Sequence, residues 1–108
     1  MKVSYQQAAA DDAIRQFRYY LLDVNLPEIA LRFRESVRRT VELLRKHPQI
    51  GPRYQSGNPL HANLRSWPVK GFEAIRIYYV ADEDTLRVIR ILHGKRDVKR
   101  ILERKRDQ

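Results

Sequence analysis

A chain of 108 residues, of which 43% are hydrophobic and 32% charged, has the length and composition of one folded domain spanning residues 1–108. It has no cysteine, no apolar run near the roughly 20 residues of a membrane helix and no apolar secretory segment, so we expect a cytoplasmic protein without disulfides. The 22 Lys and Arg against 13 Asp and Glu give a net charge of +9, which is typical of a surface that attracts nucleic acid or an acidic protein, or of a basic surface without a specific ligand.

A short strand and a first helix are predicted at the start of the chain. Val3 and Tyr5 share one side of an extended segment at residues 2–5. Apolar residues then recur at steps of three and four, which marks one face of a helix. This face consists of Ala10, Ile14, Phe17, Leu21 and Val24. Asn25 and Pro27 end the helix, since a proline disfavours helical backbone just before it and suits the first turn of a following helix.

The second predicted helix runs from about Pro27 to Lys46 and forms an antiparallel hairpin with the first. Its apolar face has the same spacing. The face consists of Ala30, Phe33, Val37, Val41 and Leu44. Because burying one large apolar side chain contributes about 1.5–3 kcal/mol, replacement of Phe33 by Asp is expected to unfold the domain. Acidic residues such as Glu35 are spaced to pair with Arg39 and its neighbours, so the basic side of this helix indicates a solvated face rather than a nucleic-acid surface.

Three strands follow a loop rich in glycine and proline. Alternation of apolar and polar residues places them at residues 64–69, 72–80 and 86–92. Pro68 has no backbone N–H, so its strand lies at an edge of the sheet or carries a bulge. Short polar turns between the strands predict an antiparallel meander, and Asp97 can cap a short final helix. The predicted fold class is α+β: an N-terminal strand and an antiparallel helical hairpin packed on an antiparallel sheet (β-α-α-β-β-β), with a short C-terminal helix.

Four segments of the chain, in this order and at this spacing, resemble the RelE/ParE toxin superfamily of bacterial type II toxin–antitoxin systems. They are residues 44–51 (LRKHPQIG), 64–72 (LRSWPVKGF), 75–79 (IRIYY) and 88–97 (VIRILHGKRD). The resemblance covers nearly the whole chain, and the ending His-Gly-Lys-Arg-Asp is similar to the ParE branch in particular.

The resemblance implies a partner and a choice between activities. The partner is a small cognate antitoxin, whose acidic and apolar C-terminal segment wraps the toxin. ParE-like members inhibit DNA gyrase, whereas RelE-like members cleave messenger RNA on the ribosome. A relative that only binds its antitoxin, without toxicity, is a further alternative. Since one fold hosts several functions, the residues must decide among them.

The residues that could cleave RNA form an incomplete set. Cleavage without a metal needs a base for the ribose 2′-OH, an acid for the leaving oxygen and cations for the phosphate. His93, Arg65 and Arg76 are the candidates, because a histidine transfers protons near neutral pH and arginines neutralise phosphate. His93 has a second interpretation, in which it holds the turn after the last strand. We therefore expect no catalytic site and favour a protein that inhibits gyrase by binding.

The residues expected to contact a target or the antitoxin lie on the three strands and just after them. They are Arg65, Trp67, Phe72, Arg76, Tyr78, His93, Lys95 and Arg96. Trp67 and Phe72 flank a hairpin turn, which suits core packing or an antitoxin groove better than stacking on a nucleobase. The three histidines, His47, His61 and His93, have no spacing typical of metal ligands, so neither a metal nor a cofactor is expected.

Overall fold

The computed structural model describes residues 1–55, 59, 62–94, 96 and 98–103. The order of elements is the predicted one, with a π-helical segment added after the first helix. The elements are β1 (Lys2–Tyr5), α1 (Gln7–Arg18), the π-helical segment (Tyr19–Asp23), α2 (Pro27–Lys46), β2 (Arg65–Val69), β3 (Phe72–Ala81), β4 (Thr85–His93) and α3 (Val98–Glu103). Asn25 separates the two long helices with a φ of 60°, a left-handed conformation that asparagine tolerates better than most residues. Within the described ranges, no helix has the length and hydropathy to cross a membrane.

The four strands form one sheet in the order β1-β4-β3-β2. The predicted meander is confirmed, because β2, β3 and β4 pair in antiparallel fashion. β1 joins the sheet at the far side of β4 and runs parallel to it, with Val3 opposite Leu86 and Tyr5 opposite Val88. The alternation that predicted β1 carries no information about its partner or direction, so this parallel edge is a feature that only the structure provides.

Two irregularities shape the sheet. The pairing of β2 with β3 shifts between Pro68 and Val69, and β2 forms one edge of the sheet. Both observations confirm the prediction that the strand of Pro68 lies at an edge or carries a bulge. The pairing of β3 with β4 shifts between Tyr78 and Tyr79, and Ile89 is left without an opposite residue. A bulge of this kind changes the direction in which the following residues point.

The main core lies between the helical hairpin and one face of the sheet. α2 contributes its predicted stripe, in which Ala30 and Leu44 are fully buried and Phe33 is 1% exposed. Phe33 lies edge-on to Phe72 of β3, with ring centroids 5.4 Å apart, and Tyr20 lies 5.6 Å from Phe33. Such pairs add to the stabilisation from burial alone. This aromatic cluster anchors α2 against the turn between β2 and β3.

A second core covers the opposite face of the sheet, beneath α3. Its buried residues are Leu64, Tyr78, Val80, Ile89, Leu92 and Leu102. β4 is therefore apolar on both faces, because the hairpin covers one and α3 the other. This explains why its sequence shows no clean alternation of polar and apolar residues.

The apolar stripe predicted on α1 is present, but much of it does not enter the core. Ile14 is 51% exposed, and Val24, beyond the π-helical segment, is 39% exposed. The buried face of α1 instead contains Ala9 and the carboxylate of Asp12, which is 4% exposed. An apolar stripe that the domain itself leaves uncovered is a candidate contact surface.

Candidate binding site

A cleft of about 480 Å³ lies between α1 and α2 on the side of β1. We call it the hairpin crevice. It is lined by Tyr5, Ala10, Ala13, Ile14, Phe17, Arg18, Leu21, Leu22, Phe33, Arg34, Val37 and Arg38. Ala10 and Ala13 present only methyl groups toward α2, so the two helices leave space between them. Phe33 and Val37 are buried beneath this space, whereas Ile14 and Leu22 stand exposed around it.

Arginines surround this apolar surface. Arg34 places its guanidinium 5.5 Å from the centre of the Phe17 ring, a cation–π contact that holds the charge over the crevice. Arg38 lies 3.6 Å from Glu35, but both side chains are largely exposed, so this pair contributes little and is easily exchanged. Arg18 has no ion-pair partner in the described part of the chain. An apolar floor with a cationic rim is suited to an amphipathic polypeptide that carries carboxylates.

Tyr5 closes the crevice at the end of β1. Burial raises the pKa of the Tyr5 hydroxyl above its usual value, and the positive charge of Arg38 partly opposes this rise. The hydroxyl is therefore neutral at physiological pH and available as a hydrogen-bond donor and acceptor. The side chain is still 41% exposed, so its ring adds both apolar area and a polar end to the crevice.

A second cleft, of about 950 Å³, lies on the other side of α2, beside the turn between β2 and β3. Trp67 and Phe72, two of the predicted contact residues, line it and are half-buried against the main core. Ser36 ties this turn to α2, because its hydroxyl donates a 2.5 Å hydrogen bond to the carbonyl of Lys70. The Lys70 side chain has no partner in the described part of the chain. This cleft combines one aromatic wall with an unpaired cation.

The side chain of Arg65 hydrogen-bonds to the backbone of the loop that follows α2. Its guanidinium donates to the carbonyl of Gly51 at 2.7 Å and to that of Gln49 at 3.4 Å. The neighbouring Tyr79 donates its hydroxyl to the carbonyl of Pro48 at 2.8 Å and accepts from the N–H of Gly51 at 3.1 Å. Burial raises the pKa of Tyr79, while the Gly51 N–H and the charge of Arg65 oppose the rise. Arg65 thus positions the loop after α2, and only its remaining donors are available to a partner.

Arg76 and Tyr78 lie on the opposite face of the sheet. Arg76 donates two hydrogen bonds, of 3.1 and 2.9 Å, to the hydroxyl of Ser66. Tyr78 is 4% exposed and packs edge-on against Tyr54, with ring centroids 5.4 Å apart. Burial raises the pKa of Tyr78, opposed by the charge of Arg76. Tyr78 is thus a core residue, so contact with a partner would require its removal from that core.

The residues after β4 are only partly described. His93 is half-buried at the end of the strand and lies opposite Ile75 of β3. Its carbonyl accepts the backbone N–H of Arg96 at 3.0 Å, which fixes the turn, and the Arg96 side chain is exposed. Lys95, and Asp97 with its predicted helix cap, lie outside the described residues. The role of His93 and Arg96 in binding stays a prediction.

The three residues considered for RNA cleavage are not brought together. Arg65 lies opposite Tyr79, and His93 lies opposite Ile75, on the two strands that flank β3. Four residues of a strand span about 13 Å, so these two side chains lie well beyond the reach of one phosphate. Arg76 bonds to Ser66 on the other face of the sheet. Among the described residues, no three His, Asp or Glu side chains are placed to share a metal ion either.

Sequence reasoning missed the hairpin crevice as a site. The signal was present, because α1 and its continuation carry apolar residues on more than one side, and one side must remain outside the core. Ile14 and Leu22 belong to that outer side. Periodicity finds a stripe but does not tell whether the protein or a partner covers it.

Comparison with known proteins identifies the family. The family described as "ParE toxin of type II toxin-antitoxin system, parDE" matches residues 3–98. No curated protein matches the sequence at a significant level. A solved structure of the chromosomal ParDE TA system from P. aeruginosa is similar, with a TM-score of 0.68 and 18% identity over 86% of this chain and 95% of that one, and at this identity the likeness shows a shared fold alone. With a family match over almost its entire length, the chain belongs to the ParE toxin family of type II toxin–antitoxin systems.

Proposed function

We propose that this protein is a cytoplasmic toxin that inhibits DNA gyrase by binding, and that a cognate antitoxin neutralises it by occupying the hairpin crevice. The observation that carries the proposal is the crevice itself: Ile14 and Leu22 are 51% and 68% exposed beside a rim of arginines. A stable domain gains by burying such residues, so their exposure indicates a surface shaped for another protein.

The chemistry of the crevice defines the antitoxin segment. An amphipathic helix would place its apolar residues over Ile14 and Phe17, at a spacing of three and four residues. Carboxylates on its flanks would meet Arg18, Arg34 and Arg38. The net charge of +9 attracts such an acidic segment over a distance and accelerates the encounter. The P. aeruginosa relative is likewise part of a ParDE toxin–antitoxin system.

The placement of the polar residues supports the proposal that the protein acts by binding rather than by catalysis. A ribonuclease needs a base, an acid and phosphate-binding cations within hydrogen-bond reach of one site. Arg65, Arg76 and His93 lie on separate strands, and Arg76 uses the opposite face of the sheet from Arg65. A protein that instead traps gyrase on DNA needs only a complementary surface.

The decisive experiment compares two activities of the purified chain. We expect it to block supercoiling by DNA gyrase, or to increase gyrase-linked DNA breaks, while ribosome-bound messenger RNA stays intact. Addition of the antitoxin encoded beside its gene should restore supercoiling. Cleavage of the message at defined codon positions, with supercoiling unaffected, would replace this proposal with the ribonuclease alternative. Inactivity in both assays, with the antitoxin still bound, would identify a relative that has lost toxicity.

A further inference from the structure

Two arginines lie directly opposite each other where the loop after α2 pairs with the start of β2. Arg53 forms an antiparallel bridge with Arg65. The hydrogen bonds of this bridge, 2.8 and 3.1 Å long, are made by the neighbouring residues, from the N–H of Tyr54 to the carbonyl of Leu64 and from the N–H of Ser66 to the carbonyl of Pro52. Arg53 and Arg65 are therefore a non-hydrogen-bonded pair, the arrangement that brings opposite side chains closest. Their Cβ atoms lie about 5 Å apart, on the same face.

Two cations in this arrangement repel each other. Like charges directly opposite on neighbouring strands are destabilising, and no carboxylate in the described ranges forms an ion pair with either guanidinium. The surrounding sequence is also poor in acids. Between Glu42 and Asp82 the basic residues are Arg45, Lys46, Arg53, Arg65, Lys70 and Arg76, and the acidic residue is Glu73 alone. An anion from outside the chain would relieve this repulsion.

Both arginines keep donors for such an anion. Arg65 uses one terminal nitrogen for its two bonds, of 2.7 Å to the carbonyl of Gly51 and 3.4 Å to that of Gln49. Arg53 likewise uses one terminal nitrogen, which lies 3.5 Å from the side-chain oxygen of Asn63. The Nε and the second terminal nitrogen of each make no bond to the described residues, and they form the edge that grips two oxygens of one anion. Because the loop carbonyls already hold Arg65, less side-chain entropy is lost when the anion binds.

We propose that the Arg53–Arg65 pair binds backbone phosphates of duplex DNA. This inference goes beyond the proposed function, because contact with DNA requires neither the antitoxin nor gyrase. The surroundings of the pair favour nucleic acid over an acidic protein. Gln49, Gln55 and Asn63 are exposed polar neighbours, and uncharged polar side chains commonly share phosphate contacts with arginine. The arginines of the hairpin crevice instead surround an apolar floor, which suits a polypeptide.

The aromatic residues nearby favour a duplex over a single strand. Tyr54 follows Arg53, but its ring packs edge-on against Tyr78 with centroids 5.4 Å apart. Trp67, two residues after Arg65, lines the second cleft and packs against the main core. Single strands are bound by stacking bases on exposed aromatic rings, whereas a duplex backbone needs only cations matched to its phosphates. The pair would therefore position DNA without reading its sequence.

The test measures binding of the full chain alone to a fluorescein-labelled duplex of random sequence, by anisotropy over a series of salt concentrations. We expect Arg53→Gln to weaken binding by about tenfold at low salt and to reduce the slope of log K against log salt by about one. Arg39→Gln is the matched control, because it removes the same charge from an 81% exposed side chain that pairs with Glu35 at 3.0 Å. Its effect should be less than about twofold.

Thermal unfolding of the free protein distinguishes a ligand site from a structural role. Arg53→Gln removes the repulsion from Arg65, so the unfolding midpoint should rise by about 1–4 °C. If Arg53 instead held the loop through Asn63, the same substitution would lower the midpoint, and the proposal would be overturned. Arg53 is exposed, so the variant is expected to fold.

The binding outcomes decide the identity of the anion. Equal losses for Arg53→Gln and Arg39→Gln, or no binding of the duplex at low salt, would overturn the proposal. Tighter binding of single-stranded RNA of the same length would overturn the assignment to a duplex. Binding of labelled polyglutamate that depends on Arg53, without binding of DNA, would assign the pair to an acidic protein. Gyrase that is unaffected while DNA binds as expected would contradict the proposed function and leave this site intact.

Discussion

Asp12 of α1 and Arg90 of β4 are 78 positions apart in sequence and form a doubly hydrogen-bonded ion pair. The Arg90 Nε lies 2.7 Å from one carboxylate oxygen and a terminal nitrogen lies 2.9 Å from the other. The backbone N–H of Ile91 donates to the same carboxylate at 2.9 Å. The bond to Asp12 raises the pKa of Arg90, so the guanidinium stays charged. One buried carboxylate thus fixes α1, and with it one wall of the hairpin crevice, to the strand beside β1.

Removal of this carboxylate should be among the most damaging changes in the chain. Asp12→Ala leaves the half-buried Arg90 without its counter-ion and the buried N–H of Ile91 without an acceptor. We expect the free energy of unfolding to fall by about 2–4 kcal/mol, as measured by urea denaturation. Asp11→Ala is the matched control, because Asp11 is exposed and its loss should cost less than about 0.5 kcal/mol. Equal effects of the two substitutions would refute the assigned role of Asp12.

The same pair shows where prediction from sequence stops. The spacing of Ile14, Phe17 and Leu21 identified α1 as a helix, and Pro27 marked where α2 begins, because local backbone preferences and periodicity act over a few residues. Which side of α1 faces the sheet depends on Arg90, far away in sequence. A buried aspartate is unfavourable without its partner, so no local pattern could place Asp12 in the core.

The candidate site was predictable to a smaller extent than the fold. The basic charge and the polar and aromatic residues on and just after the strands predicted binding, yet Tyr78 is a core residue and Arg65 holds a loop. Strand alternation places a residue on a face but does not show whether a second layer covers that face. The cover comes from α3, whose packing depends on Leu102 and on the bulge at Ile89. Packing of this kind is decided by three-dimensional contacts that a single sequence leaves open.

Gly51 occupies a place where no side chain fits. A Cβ atom there would lie 2.5 Å from the carbonyl oxygen of Ser66 and 2.7 Å from the hydroxyl of Tyr79. We expect Gly51→Ala to lower the free energy of unfolding by about 1–3 kcal/mol, because the Ser66 contact is with backbone and cannot move aside. Gly94→Ala is the control, since its nearest atom would be at an ordinary 3.5 Å. A thermal unfolding midpoint of Gly51→Ala equal to that of Gly94→Ala would contradict this packing.

The hydroxyl of Tyr79 should contribute to stability in a pH-dependent way. Tyr79→Phe leaves the carbonyl of Pro48 and the N–H of Gly51 without their partner, so we expect a loss of about 1–3 kcal/mol at neutral pH. Tyr19→Phe is the control, because Tyr19 is 48% exposed and its loss of a hydroxyl should cost less than about 0.5 kcal/mol.

The sign of the pH dependence follows from burial. The folded state raises the pKa of Tyr79 above its usual 10.0, so it holds the proton more tightly than the unfolded chain does. The stabilisation is therefore complete below about pH 10 and is lost as the pH rises further. Tyr5 and Tyr78 act in the same direction. Urea midpoints between about pH 8 and 11 should fall less steeply for Tyr79→Phe than for the unaltered chain, and an unchanged slope would assign the alkaline loss to other groups.

Two aspartate substitutions on the hairpin should have opposite consequences. Phe33 is 1% exposed within the aromatic cluster, so Phe33→Asp buries an unpaired charge and removes a large apolar side chain. The expected loss, about 4–5 kcal/mol or more, approaches the whole stability of a small domain and should abolish cooperative unfolding. The second substitution, Ile14→Asp, should change the unfolding midpoint little, because the Ile14 side chain is 51% exposed. Calorimetric titration with the antitoxin should instead show a loss of about 30-fold in affinity for Ile14→Asp. The introduced carboxylate replaces an apolar contact, and its negative charge repels the acidic antitoxin segment. A folded Ile14→Asp protein that binds the antitoxin with unchanged affinity would place the interface elsewhere, and the second cleft beside Trp67 and Phe72 would then be the surface to test.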